Sequence, residues 1–457
     1  MTELNDKETP NFDEALMLAS LRDDELEKFR QEFMELHPYD QATFFAKLER
    51  EYRSKIYHFL SPEEMAEMFD NLELDEEEYK ELLAEMNPSY AADMLAEMYA
   101  DDAVDVLNEL DKEQVVTYLT IMDDEAAKEI RELLHYEEYT AGSIMTTEFI
   151  AISANQTVRS AMYILKNEAP QAETIYYVYV IDEDKKLVGV ISLRDLIVAD
   201  DDTMISEIMN DRVVSVSVSD DQEEVARMMK DYNFLAVPVV DFQEHLLGII
   251  TVDDIMDVMD EEASDDYSKL AGISDLDKVD RNPFGAAKKR LPWLVLLLFL
   301  GLFTASLMAR FEETLSQKAV LAVFIPLIAG IAGNSGTQAL AVAVRGIATG
   351  DLEEESKWRL IIREAGTGLI TGASCGVVIT IIVYVWKGDL MLGCLVGLTV
   401  LTTLIVATLA GSVVPLLMHK LNIDPAVASG PFITTINDII SILIYLGMAT
   451  LFMSYLG

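Results

Sequence analysis

Asp438 is a carboxylate near the middle of Pro425–Tyr455, a stretch otherwise apolar and long enough to cross a bilayer. An ionisable group at that depth is costly unless it meets water, protein or an ion. Helical spacing places Gly430, Thr434, Asn437, Asp438, Ser441 and Tyr445 on one polar stripe of an apolar rod. Pro431 frees a backbone carbonyl about one turn earlier, a further oxygen for a cation or its water. The stripe reads as an ion path; a carboxylate that only hydrogen-bonds between helices is the alternative.

A second apolar stretch repeats the anomaly. Residues 326–338 hold Pro326, Gly330, Gly333 and Gly336 beside Asn334, Ser335, Thr337 and Gln338. Asn334, Gln338, Ala341 and Arg345 fall on one helical face. Two proline-interrupted, polar-striped spans suit discontinuous helices lining a path, although the glycines equally suit close helix packing. The donors narrow the ion. The spans hold no histidine, and Cys375 and Cys394 are far from Asp438 in sequence, so the set is oxygen-only and argues for a hard cation. One carboxylate with amides and hydroxyls suits a mostly hydrated Mg2+, but does not separate it from Mn2+ or Co2+.

The elements that position these groups follow from charge and hydropathy. The chain has 457 residues and a net charge of -46. Residues 281–457 are nearly balanced at +2, so residues 1–280 carry -48. So acidic a surface repels nucleic acid and attracts cations. Five spans are expected: Leu291–Ala309, Val320–Val344, Gly366–Trp386, Met391–Met418 and Ala426–Tyr455. Lys288, Lys289 and Arg290 precede the first; Arg345, Lys357, Arg359 and Arg363 lie between the second and third. His419 and Lys420 lie between the fourth and fifth. This bias predicts a multi-pass protein of the cell membrane with a cytoplasmic N-terminal half and an extracytoplasmic C-terminus. Residues 1–10 read as a frayed leader without a signal segment. The two cysteines read as reduced packing residues.

From Asn11 to about Tyr139 the pattern is helical. Short units recur at Met86-Asn-Pro, Tyr99-Ala-Asp-Asp and Met122-Asp-Asp, each opening a helix, which suggests a small superhelical bundle. For Asp101, Asp102 and Asp105, capping competes with a metal role. Beyond Thr140 the pattern becomes mixed α/β and repeats. Strand, helix, strand, strand and helix are expected at Phe149–Ile152, Val158–Lys166, Thr174–Ile181, Leu187–Ser192 and after. The order recurs at Val213–Val218, Glu223–Asp231, Val237–Val240 and Leu246–Thr251. Ser143-Ile-Met145 parallels Glu207-Ile-Met209, and Leu187–Ser192 parallels Leu247–Thr251. This tandem resembles a CBS pair, each copy closing on the Ser/Thr-x-x-Asp signature: Ser192 with Asp195, and Thr251 with Asp254. The resemblance implies ATP or another adenine nucleotide wherever the pair binds one, hydroxyl to phosphate and aspartate to ribose; a purely scaffolding pair is the alternative. Asp253, Asp257, Asp260 and Glu261 then form an acidic stripe on a helix reaching about Ile273, and such a stripe seeks a counter-ion.

This order of parts resembles the MgtE family of bacterial magnesium channels. The most specific segments are Gly333-Asn-Ser-Gly-Thr-Gln338 and Gly430-Pro-Phe-Ile-Thr-Thr-Ile-Asn-Asp438. Thr337 stands where the family pattern suggests a second asparagine. The fold class expected is multidomain. An all-α superhelical domain occupies 1–140, CBS copies 141–204 and 205–260, a connecting plug helix and linker 261–285, and a five-helix membrane domain 286–457. The resemblance implies a non-enzymatic homodimeric Mg2+ channel. Asp438 would hold the hydrated ion, with Asn334, Gln338, Thr434 and Asn437 around it. It also implies closure by cytosolic Mg2+ at Asp101, Asp102, Asp105, Asp253, Asp257, Asp260, Glu261, Glu262 and Asp424. A cation-coupled exchanger and a membrane-anchored nucleotide sensor are the other readings. Glu364 is the one further acid near a span, and plain anchors have no use for Asp438.

Overall fold

The structure, a computed structural model, describes residues 14–453 apart from 73, 75, 274–282, 350, 351, 353 and 422. The leader read at 1–10 and most of the linker therefore lie outside the described residues. The chain divides into two compact units, one reaching Met259 and one beginning at Asp260.

The first unit opens with ten short helices, α1–α10, between Glu14 and Leu133. Their starts are written locally. Pro38, Pro62 and Pro88 occupy first turns, where a missing N–H costs nothing. Ser61 and Glu64 form a reciprocal capping box, and Arg30 ties Glu64 to the second helix. Helices α3 (Pro38–Ala46), α5 (Pro62–Phe69), α7 (Pro88–Glu97) and α9 (Lys112–Ile121) pack in succession, giving the expected superhelical layer. Phe29, Phe33, Phe44, Phe45, Met65, Met68 and Phe69 fill its core. The same cluster continues into the second CBS copy through Val225, Val237 and Ile250.

The CBS copies are two three-stranded sheets. Strand β1 (Ala151–Ser153) pairs parallel with β2 (Tyr177–Ile181), which pairs antiparallel with β3 (Leu187–Ser192). Strands β4 (Val216–Ser217), β5 (Ala236–Val240) and β6 (Leu246–Thr251) repeat the order. Helices α11 (Val158–Glu168), α12 (Leu193–Val198), α13 (Ile205–Ile208) and α14 (Gln222–Tyr232) complete the pair. The first strand of each copy is shorter than its apolar run suggested, and a residue ahead of each run bridges to the other copy. Thr146 bridges Ile249, and Asn210 bridges Val190. A Cβ on Gly248 would stand 2.5 Å from the Thr146 carbonyl oxygen, and one on Gly189 2.6 Å from Met209 Sδ. The parallel glycines and methionines of the sequence thus meet crosswise.

Helix α15 (Val252–Ala271) ends at Gly272, whose φ of +70° favours glycine and lets the Ile273 N–H reach the Ser268 carbonyl at 3.0 Å. In the second unit, α16 (Pro283–Ala309), α18 (Ile325–Ala348), α19 (Glu354–Lys387), α20 (Leu390–Lys420) and α21 (Gly430–Leu451) are each long and apolar enough to span a bilayer. A short α17 (Glu312–Gln317) precedes α18. The chain is thus a multi-pass membrane protein with five spans and soluble N-terminal domains.

Two expectations change. Pro326 and Pro431 do not interrupt helices; each sits in the first turn of its helix, after 3-10 turns at Ala319–Phe324 and Pro425–Val427. A proline there leaves no helical carbonyl unsatisfied, so the extra oxygen expected from Pro431 is not supplied this way. The first span also begins earlier than expected, since α16 already covers the expected linker residues Pro283–Arg290 and continues through Pro292.

Candidate ion path and acidic sensor sites

Helices α18 and α21 approach closely because α18 carries glycine where α21 carries polar bulk. A Cβ on Gly333 would lie 2.8 Å from Thr434 Cγ2, and one on Gly336 1.9 Å from the Asn437 amide nitrogen. Gly330 has open space around it. Packing therefore accounts for two of the three glycines.

The contact splits the polar stripe of α21. Asn437 is 1% exposed, and among the described residues its amide oxygen and nitrogen find no hydrogen-bond partner. Ser441 is fully buried, and Tyr445 donates to the Leu321 carbonyl at 3.0 Å. These three face the helix bundle. Thr434 and Asp438 remain half-exposed. The Thr434 hydroxyl donates to the Gly430 carbonyl at 2.8 Å, leaving its lone pairs available. Among the described residues nothing donates to the Asp438 carboxylate, while its backbone carbonyl accepts from Ser441. Asn334 and Gln338 are exposed on α18. Asn334 follows Gly333, which meets Thr434, so it lies level with that threonine, about one turn of α21 before Asp438. Thr337 turns inward, its hydroxyl donating to the Gly333 and Asn334 carbonyls at 3.2 and 3.0 Å.

Below this, α15 ends against the start of α21. Lys269 bridges Asp265 and, at 2.5 Å, Asp424. Asp424 also accepts from the Ala426 N–H at 2.8 Å, so it holds a turn as well as a lysine. A Cβ on Gly430 would lie 3.3 Å from the Leu270 carbonyl oxygen, and Gly272 is near Pro431 and Ser429.

The first unit holds a second acidic centre. Glu173, Asp253 and Asp254 each bring a carboxylate oxygen within 4.8 Å of the others. Asp101, in the first turn of α8 (Ala100–Asn108), faces Asp254, Glu173 and Glu148 and is 7% exposed. One of its oxygens is buried without a hydrogen-bond partner. Asp102 shares a hydrogen bond with Asp70. Tyr99 caps α8 with no side-chain bond, so capping does not explain these aspartates. Burial, then neighbouring carboxylates, raises both Asp101 and Asp102 strongly. Burial and the Asp254 charge push Glu173 up to about 7; burial pushes Asp254 up to about 6 even with the Thr251 hydroxyl donating to it. So many carboxylates forced toward their neutral forms suit a bound cation, which would let them ionise together. Sequence reasoning missed Asp70, Glu148 and Glu173. Only their distant positions in the chain hid them, since each is an ordinary acid beside helix or strand ends. Asp105 is exposed on α8 and lies near Tyr79; Asp257, Asp260, Glu261 and Glu262 extend along α15 beyond the cluster, mostly exposed.

The two Ser/Thr-x-x-Asp motifs differ in surroundings. Ser192 donates to Asp195 at 2.6 Å and Thr251 donates to Asp254 at 2.6 Å. Ser192 and Asp195 open to solvent, whereas Thr251 is buried and Asp254 belongs to the carboxylate cluster.

Comparison with known proteins agrees with this division. A family described as divalent cation transporter matches residues 325–448, the MgtE intracellular N domain matches 36–139, and CBS domains match 141–202 and 205–261. The chain is 61% identical over 441 residues to the magnesium transporter MgtE of Enterococcus faecalis, covering 96% of this chain and 97% of that one. It is 40% identical over 443 residues to MgtE of Bacillus subtilis, covering 96% and 98%. Among solved structures, the soluble part of a magnesium transporter superposes with a TM-score of 0.53 at 61% identity, covering 55% of this chain and 98% of that one. The cytosolic domain of the Mg2+ channel MgtE in complex with ATP superposes with a TM-score of 0.51 at 39% identity, covering 54% and 99%. The chain belongs to the MgtE family of magnesium transporters.

Proposed function

We propose that the protein is a Mg2+ channel for uptake, closed by cytosolic Mg2+ that binds its acidic soluble half. The observation that carries this reading is Asp438, a carboxylate about two turns into a membrane helix, half-exposed on a face that the protomer leaves open. A second copy across that face completes the path, bringing two Asp438 carboxylates toward one axis. Few carboxylates with amide and hydroxyl oxygens suit an ion that keeps most of its water. Thr434, Asn334 and Gln338 line the path with Asp438; Asn437 supports it from behind.

The sensor is the cluster of Asp70, Asp101, Asp102, Glu173, Asp253 and Asp254. Mg2+ there replaces mutual repulsion with shared coordination and favours the compact arrangement. Asp105, Asp257, Asp260, Glu261 and Glu262 add weaker sites along the same acidic surface. Asp424 couples the start of the Asp438 helix, through Lys269, to α15. Several modest preferences sum to the few kcal/mol that a switch requires. An adenine nucleotide binds at Ser192 and Asp195; at Thr251 and Asp254 its phosphates would join an already repulsive cluster. The topology is N-terminal half cytoplasmic and C-terminus extracytoplasmic.

The test is Mg2+ uptake into proteoliposomes by the wild type and Asp438→Ala. Uptake in the wild type without any counter-ion gradient, reduced to the protein-free leak in the variant, supports the reading. Uptake that needs a second ion gradient points to an exchanger, and equal uptake in both proteins removes Asp438 from the path.

A further inference from the structure

A cavity of about 680 Å3 opens between the last turn of α18 and the first turns of α19. Arg345, Arg359 and Arg363 line it, with Gly346, Leu352 and Leu360 among its apolar wall. A Cβ on Gly346 would lie 2.9 Å from Leu352 Cδ1, so the glycine lets the leucine fold in as a wall. Among the described residues the charges are poorly balanced from within. Arg363 Nε reaches the Glu364 carboxylate at 3.5 Å. Among the described residues Arg345 and Arg359 have no carboxylate within ion-pair distance. Three guanidinium groups thus converge on a pocket beside one buried acid.

The flanking residues say what the pocket meets. Trp358 is 70% exposed and Ile362 likewise 70%, interleaved with Arg359 and Arg363 on α19. Leu369, Ile370, Val377, Val378, Ile381 and Val385 continue the exposed apolar face toward Trp386. Trp358 and Trp386 lie about 42 Å apart along the helix at 1.5 Å per residue, close to a bilayer including its headgroups. Tryptophans at both ends of a lipid-facing helix mark the interfaces. The three arginines therefore sit at headgroup depth, with apolar surface beside them for acyl chains.

We propose that this pocket binds the phosphate of an anionic phospholipid, the guanidinium groups holding the phosphate oxygens and Leu352 and Leu360 the start of the acyl chains. Placing it in the cytoplasmic leaflet rests on the topology given above; the binding itself does not depend on which leaflet the pocket faces. A free phosphate-bearing anion shares the chemistry but has no use for the apolar flank.

The experiment is lipid binding to purified full-length protein in detergent, read by native mass spectrometry. Phosphatidylglycerol and phosphatidylcholine are titrated against the wild type, Arg345→Gln/Arg359→Gln/Arg363→Gln, and the corresponding triple lysine variant. Phosphatidylglycerol should bind the wild type roughly tenfold or more tighter than phosphatidylcholine, the glutamine variant should lose that preference, and the lysine variant should keep part of it. Equal binding of the two lipids to the wild type overturns the proposal, as does an undiminished preference in the glutamine variant. Displacement of phosphatidylglycerol by about 10 mM inorganic phosphate, with equal protection by phosphate alone, would assign the site to a free anion instead. Size-exclusion profiles and Mg2+ uptake of the same preparations separate loss of lipid from loss of fold or of transport.

Discussion

Gly336 and Asn437 are fitted to each other: a side-chain carbon on the glycine would stand 1.9 Å from the asparagine amide nitrogen. Asn437 is buried and Ile433 Cγ2 would stand at 3.1 Å, so the amide must be displaced within a crowded α18–α21 contact if Gly336 is replaced. Gly336→Ala should lower stability by about 1–3 kcal/mol and abolish Mg2+ uptake. Gly330→Ala, with open space around it, should change neither. Thermal unfolding in detergent with parallel uptake assays checks the pair.

Asn437 and Asp438 are neighbours in sequence but not in role. Asn437→Ala removes a buried amide that makes no hydrogen bond among the described residues, and should preserve cation selectivity while softening the α18–α21 packing. Asp438→Asn keeps the shape and should remove most Mg2+ flux. Loss of selectivity in Asn437→Ala equal to that in Asp438→Asn would place the amide in the path.

The acidic cluster should make the soluble half sensitive to both protons and Mg2+. Carboxylates raised in the compact arrangement favour it when protonated, and that advantage is lost as pH rises through their raised values. With Glu173 near 7 and Asp254 near 6, Mg2+-free protein should become more susceptible to limited proteolysis between pH 5.5 and 8. Added Mg2+ should restore protection at pH 8. Protection that stays flat with pH would mean that these groups do not govern the arrangement.

Neutralising one member should imitate the ion. Asp102→Asn removes a charge pressed against Asp101 and Asp70, and should protect the Mg2+-free protein at pH 8 while weakening its response to added Mg2+. Glu173→Gln should act the same way, more weakly, because its own rise is smaller. The protease assay reads both, and Asp40→Asn, far from the cluster in sequence and in the first turn of α3, serves as the control.

Nucleotide binding should separate the two CBS copies. Asp195→Ala should lower ATP affinity about tenfold or more through the lost ribose contact, whereas Thr251→Val should leave it unchanged, because that motif faces carboxylates. Calorimetric titration of the full-length protein checks this.

Much of the fold was legible because its signals are local. Asn87, Pro88 and Asp123 mark helix starts, Leu187–Ser192 and Leu246–Thr251 are β3 and β6 as read, and apolar length marked the spans. Asp438 was legible for the same reason: a charge inside an apolar run needs no neighbour to stand out. The acidic cluster was only half legible. Asp101, Asp102, Asp253 and Asp254 lie in visibly acidic runs, but Glu173 and Asp70 join them only through the packing of α8 against the CBS pair, a contact between residues far apart in the chain. Pro326 and Pro431 misled because proline marks a helix start as readily as a break, and the 3-10 turns ahead of them have no strong composition of their own.

Recording currents from the purified protein in a planar bilayer tests pore and sensor together. Mg2+ on the side of the soluble half would be raised from micromolar to about 10 mM, above the range over which weak carboxylate sites fill. The wild type should carry Mg2+ current that falls as this Mg2+ rises, Asp102→Asn should respond far less, and Asp438→Ala should carry none. Mg2+ current that persists in Asp438→Ala, or that ignores Mg2+ on the soluble side in the wild type, would contradict the account.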